Sequence, residues 1–447
     1  MIRLKIMIQV RQHKEILPEM KLPAGSGAKI EAWLKGKGSY SKENGFEDLP
    51  PVVSNLSDGK STNRTEEIKR AIKKSEVAGF FNGRRAKNVI VIIGDGMGES
   101  HLKASRQFYG PLVMDSFSHY CSATTDCLRP AQNEDGSPAK IDVNDERLIT
   151  TDSSAGGTAI LCGQRTRYGY IGLDKDGKEI KNLGERAREK GMLVGCVTND
   201  HLGDSTPACA IVHEVCREKE KEIYQKELDF APDLLFGENA CKEVFQGSNK
   251  MKCYESFYDL VQEQNQNGHK DKCASLWEGN FCEYEEDTKA GFNMEPVKDC
   301  PSFVEMVWFT LSHLDYKAKA NGDCGFFCMI ENTCCDGWGH AQLVQPIMNE
   351  VQCFDEGVAV AAKFVLENPD TLLVITADHE NGDLRFRPNW ETDFTRIKSL
   401  DSGHSSQPVP VIAFGAGADK AFPLRQDNVC RESFVTGQNL MKIMNEN

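Results

Sequence analysis

The sequence has no excess of positive charge. Its 67 acidic residues outnumber 53 basic ones, for a net charge of −14. A chain of this sign has no general affinity for polyanions, which argues against non-specific nucleic-acid binding. No apolar run is long enough to span a bilayer, so no transmembrane segment is expected. Leu4 to Val10 is apolar but broken by Lys5 and Gln9, and no small-residue cleavage site follows cleanly, so no clear signal peptide is read. Asn439 to Asn447 lacks the apolar tail of a lipid-anchor signal. Tight paired cysteine spacings are also missing. Cys324, Cys328 and the vicinal Cys334-Cys335 therefore read as buried small hydrophobes or an unrelated disulfide rather than a structural zinc site.

Cysteine itself is abundant. There are 17, an odd count that leaves at least one unpaired. Cys241, Cys253, Cys273, Cys282 and Cys300 fall in one polar region, where disulfides are expected. That implies an oxidising compartment, extracellular or periplasmic in type. Sequons at Asn55-Leu56-Ser57 and Asn63-Arg64-Thr65 agree with it.

The length of 447 residues suggests two or three domains, and one large α/β unit also fits. Residues 1–85 read as a partly flexible N-terminal extension with a helix from Thr65 to Val77. Residues 86–447 form the main domain, interrupted at about 218–300 by a Cys-rich insertion. Strands are expected at Asn88–Ile93, Leu148–Thr151, Met192–Val197, Phe326–Ile330, Leu372–Thr376 and Val409–Phe414. Helices are expected at Ser100–Phe108, Ile180–Lys190, Ser302–Lys319 and Ala341–Leu366. This alternation predicts an α/β fold: a three-layer sandwich with a large, mainly parallel central sheet and helices on both faces.

In such sheets, sites form beyond the carboxyl ends of the strands. Those ends carry Asp95, Asp152-Ser153, Asp204, Glu331 and Asp378-His379. Each alone reads equally as a turn or cap residue; the conjunction is what points to chemistry. Thr150 to Gly163 places an acid and two hydroxyls at the mouth of a small-residue helix, where unpaired N–H groups favour an anion. The four-residue spacing of Asp336 and His340 puts both on one helical face, and His404 adds a third ligand of mixed type that suits zinc. Asp378, His379 and Asp95 form a second mixed set. Asp95, Thr206 and Glu331 offer only oxygens, which suits magnesium.

Together these motifs resemble the alkaline phosphatase family. Gly94-Asp95-Gly96-Met97-Gly98 matches its first metal motif, and Asp152-Ser153-Ser154-Ala155-Gly156-Gly157-Thr158-Ala159 its nucleophile motif. Asp204-Ser205-Thr206-Pro207-Ala208 matches its magnesium-side motif, and Arg217 stands where the family has its phosphate-binding arginine. Glu331 through His340, Thr376-Ala377-Asp378-His379 and His404 complete a pattern running from about Lys87 to Ala418. The resemblance implies one zinc on Asp336, His340 and His404 and a second on Asp95, Asp378 and His379. It implies magnesium on Asp95, Thr206 and Glu331, with Asp204 in or just behind that shell. Ser153 would be the nucleophile and Arg217 the grip on phosphate, oriented by Asp152. The implied reaction is hydrolysis of phosphate monoesters through a phosphoserine, with phosphorus configuration retained and an alkaline optimum; a homodimer is also implied.

Three departures stand out. Ser154 replaces the alanine usual after the nucleophile, although the ten-residue spacing from Asp152 to Cys162, shared with animal members, assigns the role to Ser153. Gly337, followed by Trp338, stands where other members often place Lys or His beside the magnesium site. The short stretch from His379 to His404 has no room for the large surface insertion of animal members. A phosphodiesterase or sulfatase with related metal sites, and a non-catalytic metal- or phosphate-binding protein, are the alternative readings.

Overall fold

The computed structural model describes residues 61–130, 146–238, 242–245, 247–267, 272–277, 301–425 and 430–446. Its strands come from β-branched, apolar runs. Asn88–Gly94 (NVIVIIG), Phe326–Asn332 (FFCMIEN) and Thr371–Thr376 (TLLVIT) are buried at every position, so both sheet faces are covered there. They form the centre of a ten-stranded sheet. From one edge to the other the order is Cys430–Glu432, His119–Thr124, Val409–Gly415, Thr371–Thr376, Asn88–Gly94, Phe326–Asn332, Leu193–His201, Leu234–Glu238, Cys273–Trp277 and Lys252–Tyr254.

All neighbouring pairs are parallel except the two made by Val409–Gly415, which runs antiparallel to Thr371–Thr376 and to His119–Thr124. The reversal puts the start of this strand on the side where the parallel strands end. His404, just upstream of it, is thereby delivered to the same edge as Asp95, Glu331 and Asp378.

Two helix groups cover the sheet. In one, Phe303–Ala320, Val344–Glu367, Glu99–Tyr109 and Ser61–Val77 pack together; in the other, Ser153–Cys162, Leu183–Glu189 and Ser433–Glu446 do. Phe303–Ala320 starts with a capping box: Ser302 Oγ accepts from Glu305 N while Glu305 accepts from Ser302 N. The expected α/β fold with its mainly parallel sheet is the one observed.

Details differ for physical reasons. Leu148–Ile149 does not join the main sheet but pairs with Cys127–Leu128 in a two-stranded ladder, so Ser153 follows a loop rather than a strand of the main sheet. The helix expected from Ala341 begins at Val344 and is preceded by a separate short helix, Cys334–His340; between them Gln342 takes φ 57°, which ends a right-handed helix. Within the extension, Ser61–Val77 is anchored, because Ile68 and Ile72 are buried in the main core.

Part of the stretch read as an insertion belongs to the sheet. Leu234–Glu238, Cys273–Trp277 and Lys252–Tyr254 extend it at one edge. Lys252 pairs with Cys273 and Cys253 with Ala274, so alternation turns Cys253 and Cys273 to opposite faces, and they are not bonded to each other. Cys241, Cys282 and Cys300 lie outside the described residues, and among the described residues there is no disulfide. No helix among the described residues is long and apolar enough to cross a membrane.

Candidate active site and metal centre

Helix Ser153–Cys162 opens on Asp152, whose extended backbone and side chain cap it by accepting from Ala155 N at 3.2 Å. The same carboxylate accepts from Gly169 N and from Arg217 Nη1, the latter at 3.3 Å. Arg217 reaches Asp204 Oδ1 with Nη2 at 3.2 Å, so two acids aim one guanidinium. Asp204, then Asp152, raise its already high pKa against the effect of burial, and it stays charged.

The two serines part at the first turn. Ser153 Oγ lies 3.2 Å from His379 Nε2. Ser154 Oγ instead donates to Ser205 Oγ at 3.0 Å, inside the protein.

Opposite Ser153 is a dense set of acids and histidines. His379 Nε2 is 3.2 Å from Asp95 Oδ1 and 3.3 Å from Asp378 Oδ2. His379 and His404 stack with ring centres 3.6 Å apart. Asp336 Oδ1 is 3.4 Å from His404 Nε2 and 3.9 Å from His379 Nδ1, while Asp336 Oδ2 is 3.2 Å from His340 Nε2. Backbone carbonyls orient the two outer rings: His404 Nδ1 donates to Thr151 O at 2.9 Å and His340 Nδ1 to Ser402 O at 2.6 Å, leaving each Nε2 turned inward. Thr206 Oγ1 donates to Asp378 Oδ2 at 3.5 Å, and Thr198 Oγ1 to Glu331 Oε2 at 2.6 Å.

Ligand-type atoms come within 4.8 Å of one another in three overlapping groups here: Asp336, His379 and His404; Asp95, Asp378 and His379; Asp95, Asp204 and Glu331. Every residue named from the sequence therefore gathers at one edge of the sheet. The grouping differs in detail from the expectation. His379 completes the first group, and His340 joins it through Asp336.

Electrostatics show what this packing costs. Burial, then Asp378 and other acids, push the Asp95 carboxyl well above its ordinary range; burial and Asp204 do the same to Glu331. Burial and Asp336 raise Asp378 to about 7. Asp336 goes the other way: despite burial, the His340 bond, then the neighbouring imidazoles, hold it low. Burial, then His404, keep the His379 imidazole neutral. Buried Asp95 Oδ1, Glu331 Oε1 and His379 Nδ1 have no hydrogen-bond partner among the described residues. Unpartnered oxygens and an imidazole nitrogen amid crowded carboxylates are a donor set that fits divalent cations.

Backbone proximity makes the crowding feasible. At Gly96, with φ 71°, a Cβ would lie 2.6 Å from Asp336 Cα, so only glycine lets the Asp95 turn meet the Asp336 helix.

The alkaline phosphatase family model matches residues 86–251 and 258–429. The chain belongs to the alkaline phosphatase family. Alkaline phosphatase 3 of Bacillus subtilis (strain 168) is 28% identical over 319 residues, covering 67% of this chain and 62% of that one. Streptomycin-6-phosphate phosphatase of Streptomyces griseus is 26% identical over 417 residues, covering 78% and 90%. Among solved structures, alkaline phosphatase from the Antarctic bacterium TAB5 superposes with a TM-score of 0.60 at 22% identity, over 81% of this chain and 98% of that one, a likeness of fold. The chain spans less than two thirds of the length of the Bacillus relative.

Sequence reasoning missed Glu380, Asn381 and Ser405, which join the segments around His379 and His404. The only signal was adjacency to a histidine already chosen.

Proposed function

We propose that this protein is a phosphomonoesterase that works through a phosphoserine, with Ser153 as nucleophile. The observation that carries the reading is the position of Ser153 Oγ: at a helix N-terminus, 3.2 Å from His379 Nε2, and on the side where Asp152 and Asp204 hold Arg217. Arg217 offers a fork of donors to two oxygens of a phosphoryl group, and the helix N-terminus adds amide dipoles. Positioning and neutralisation of this kind are the main demands of phosphoryl transfer.

In this reading Asp336, His340 and His404 would hold one zinc, Asp95, Asp378 and His379 the other, and Asp95, Thr206 and Glu331 a magnesium, with Asp204 in or just behind that shell. When bound, these ions supply charge to the attacking and leaving oxygens and lower the pKa of hydroxyl and water. Ser153 attacks phosphorus and its ester bond forms as the alcohol leaves. Water then attacks the phosphoserine, and two inversions give net retention. Asp152 keeps Arg217 aimed through both steps, and His379, neutral by burial, keeps one ring nitrogen unprotonated and available as a ligand. A diesterase or sulfatase fits less well, because Arg217 and the cation that Asp95, Asp204, Thr206 and Glu331 would hold together supply positive charge suited to a dianionic monoester.

Acid-quench trapping with labelled phosphate tests the nucleophile. Ser153→Ala abolishes the label and Ser154→Ala keeps it; the reverse assigns the role to Ser154. Faster turnover of bis-nitrophenyl phosphate or nitrophenyl sulfate than of nitrophenyl phosphate would refute the monoesterase.

A further inference from the structure

Glu380 follows His379 directly, is fully buried, and has no place in the chemistry above. Its carboxylate is nevertheless saturated with donors from three separate segments. Oε1 accepts from Ser100 Oγ at 3.1 Å and Leu384 N at 3.2 Å, and lies 3.3 Å from His101 Nε2. Oε2 accepts from Ser405 Oγ. Ser100 and His101 open the helix Glu99–Tyr109, immediately after the turn that carries Asp95. Ser405 is the neighbour of His404, and Glu380 and Asn381 pair as a short ladder with Ser405 and His404. The next residue extends the junction: Asn381 Nδ2 donates to Asp336 Oδ1 at 2.6 Å.

Two features show that the fold makes room for this carboxylate. A Cβ on Gly98 would overlap the Glu380 stem, so glycine there admits it. His101 is also prepared for it: Nδ1 accepts from Gly98 N at 3.3 Å, which leaves the proton on Nε2, facing Glu380 and Asn381 O.

We infer that Glu380 is a positioning residue whose carboxylate, through Ser100, His101 and Ser405, locks the segments bearing Asp95, His379 and His404 into the spacing that binds cations. The inference rests on reading those three residues as ligands. Groups that orient ligands in this way typically alter metal affinity 10- to 100-fold when removed.

The test uses full-length wild type, Glu380→Gln, Glu380→Ala and Ser405→Ala, stripped of metal and titrated with zinc against a chromogenic chelator. Asp355→Asn is the control, since Asp355 is another buried carboxylate, one that accepts from Val113 N and Met114 N. Melting temperatures of the metal-free proteins and nitrophenyl phosphate kinetics at rising zinc accompany the titration. Glu380→Ala should bind zinc about 10- to 100-fold more weakly. Glu380→Gln, which keeps one acceptor oxygen, and Ser405→Ala should fall between it and wild type. Lost turnover should return as zinc is raised, and Asp355→Asn should bind zinc as wild type does. Wild-type zinc affinity in Glu380→Gln and Ser405→Ala, with only a lower melting temperature, would overturn the inference. If the Glu380 variants do not fold, Ser405→Ala alone decides it. Failure of wild type itself to bind zinc would overturn the cation reading as a whole, a result distinct from unchanged variants.

Discussion

The two sides of the candidate site are completed to different degrees. Around Ser153, the proposed nucleophile, Asp152 is met by Ala155 N, Gly169 N and Arg217, and Ser154 by Ser205. Across from it, Asp95, Glu331 and His379 each leave a buried atom unpartnered among the described residues, and carboxylates raise one another's pKa. A buried polar group without a partner costs roughly 1–3 kcal/mol, more when charged. One side is preorganised by the chain for an incoming anion. The other is organised by the chain around charges it does not itself supply. Binding and the supply of cations are thus separable properties of this fold, and they can be broken separately.

Chelation is the most severe way to break the second side alone. Stripping divalent ions should abolish turnover and lower the melting temperature, because ligands that bind the native state stabilise it. Restored zinc and magnesium should recover both. Calorimetric scans with metal analysis check this, and stability unchanged by stripping would count against the contrast.

Arg217→Ala strikes the first side. Loss of one charged donor pair should lower kcat/KM roughly 100- to 1,000-fold. Zinc content should be unchanged, because Arg217 pairs with Asp152, Asp204 and Glu218, none of them among the proposed zinc ligands. Parallel activity and zinc measurements separate the two.

The pH dependence of zinc affinity sharpens the second side. The bond to Asp336, then its charge, raises His340 to about 9 against burial. Zinc must displace that proton, so affinity should rise with pH, by up to about tenfold per unit until His340 titrates, and then level. Chelator competition across this range reads it, and a flat profile would remove His340 from the ligand set.

The smallest effect is expected at Ser154. Ser154→Ala should leave kcat within a few-fold and cost about 1–2 kcal/mol of stability through the stranded Ser205 hydroxyl. Denaturant titration alongside steady-state kinetics measures both.

Central strands and site residues were legible in the sequence because their signals are local. Asn88–Gly94 and Thr371–Thr376 are continuous apolar runs ending in acids, and the Asp336–His340 spacing is a single helical turn. Lys252–Tyr254 and Cys273–Trp277 were not legible, since strands this short, at or next to the sheet edge, show little periodicity. His404 was identified by kind but not by route, because the direction of Val409–Gly415 is set by long-range pairing. Glu380 escaped because saturation by Ser100, His101 and Ser405 depends on residues far apart in the chain.

The reversed strand also fixes when the site can first exist. Val409–Gly415 lies between Thr371–Thr376 and His119–Thr124, so His119–Thr124 cannot dock in the sheet until it arrives. During synthesis from the N-terminus, Ser153 and Arg217 emerge long before His404. The nascent chain therefore holds its acids and nucleophile apart from their last histidine until nearly the whole sequence is made. Contacts this distant in sequence form slowly. On this topology, the candidate site is complete only after the strand Val409–Gly415 and the histidine just before it have been made.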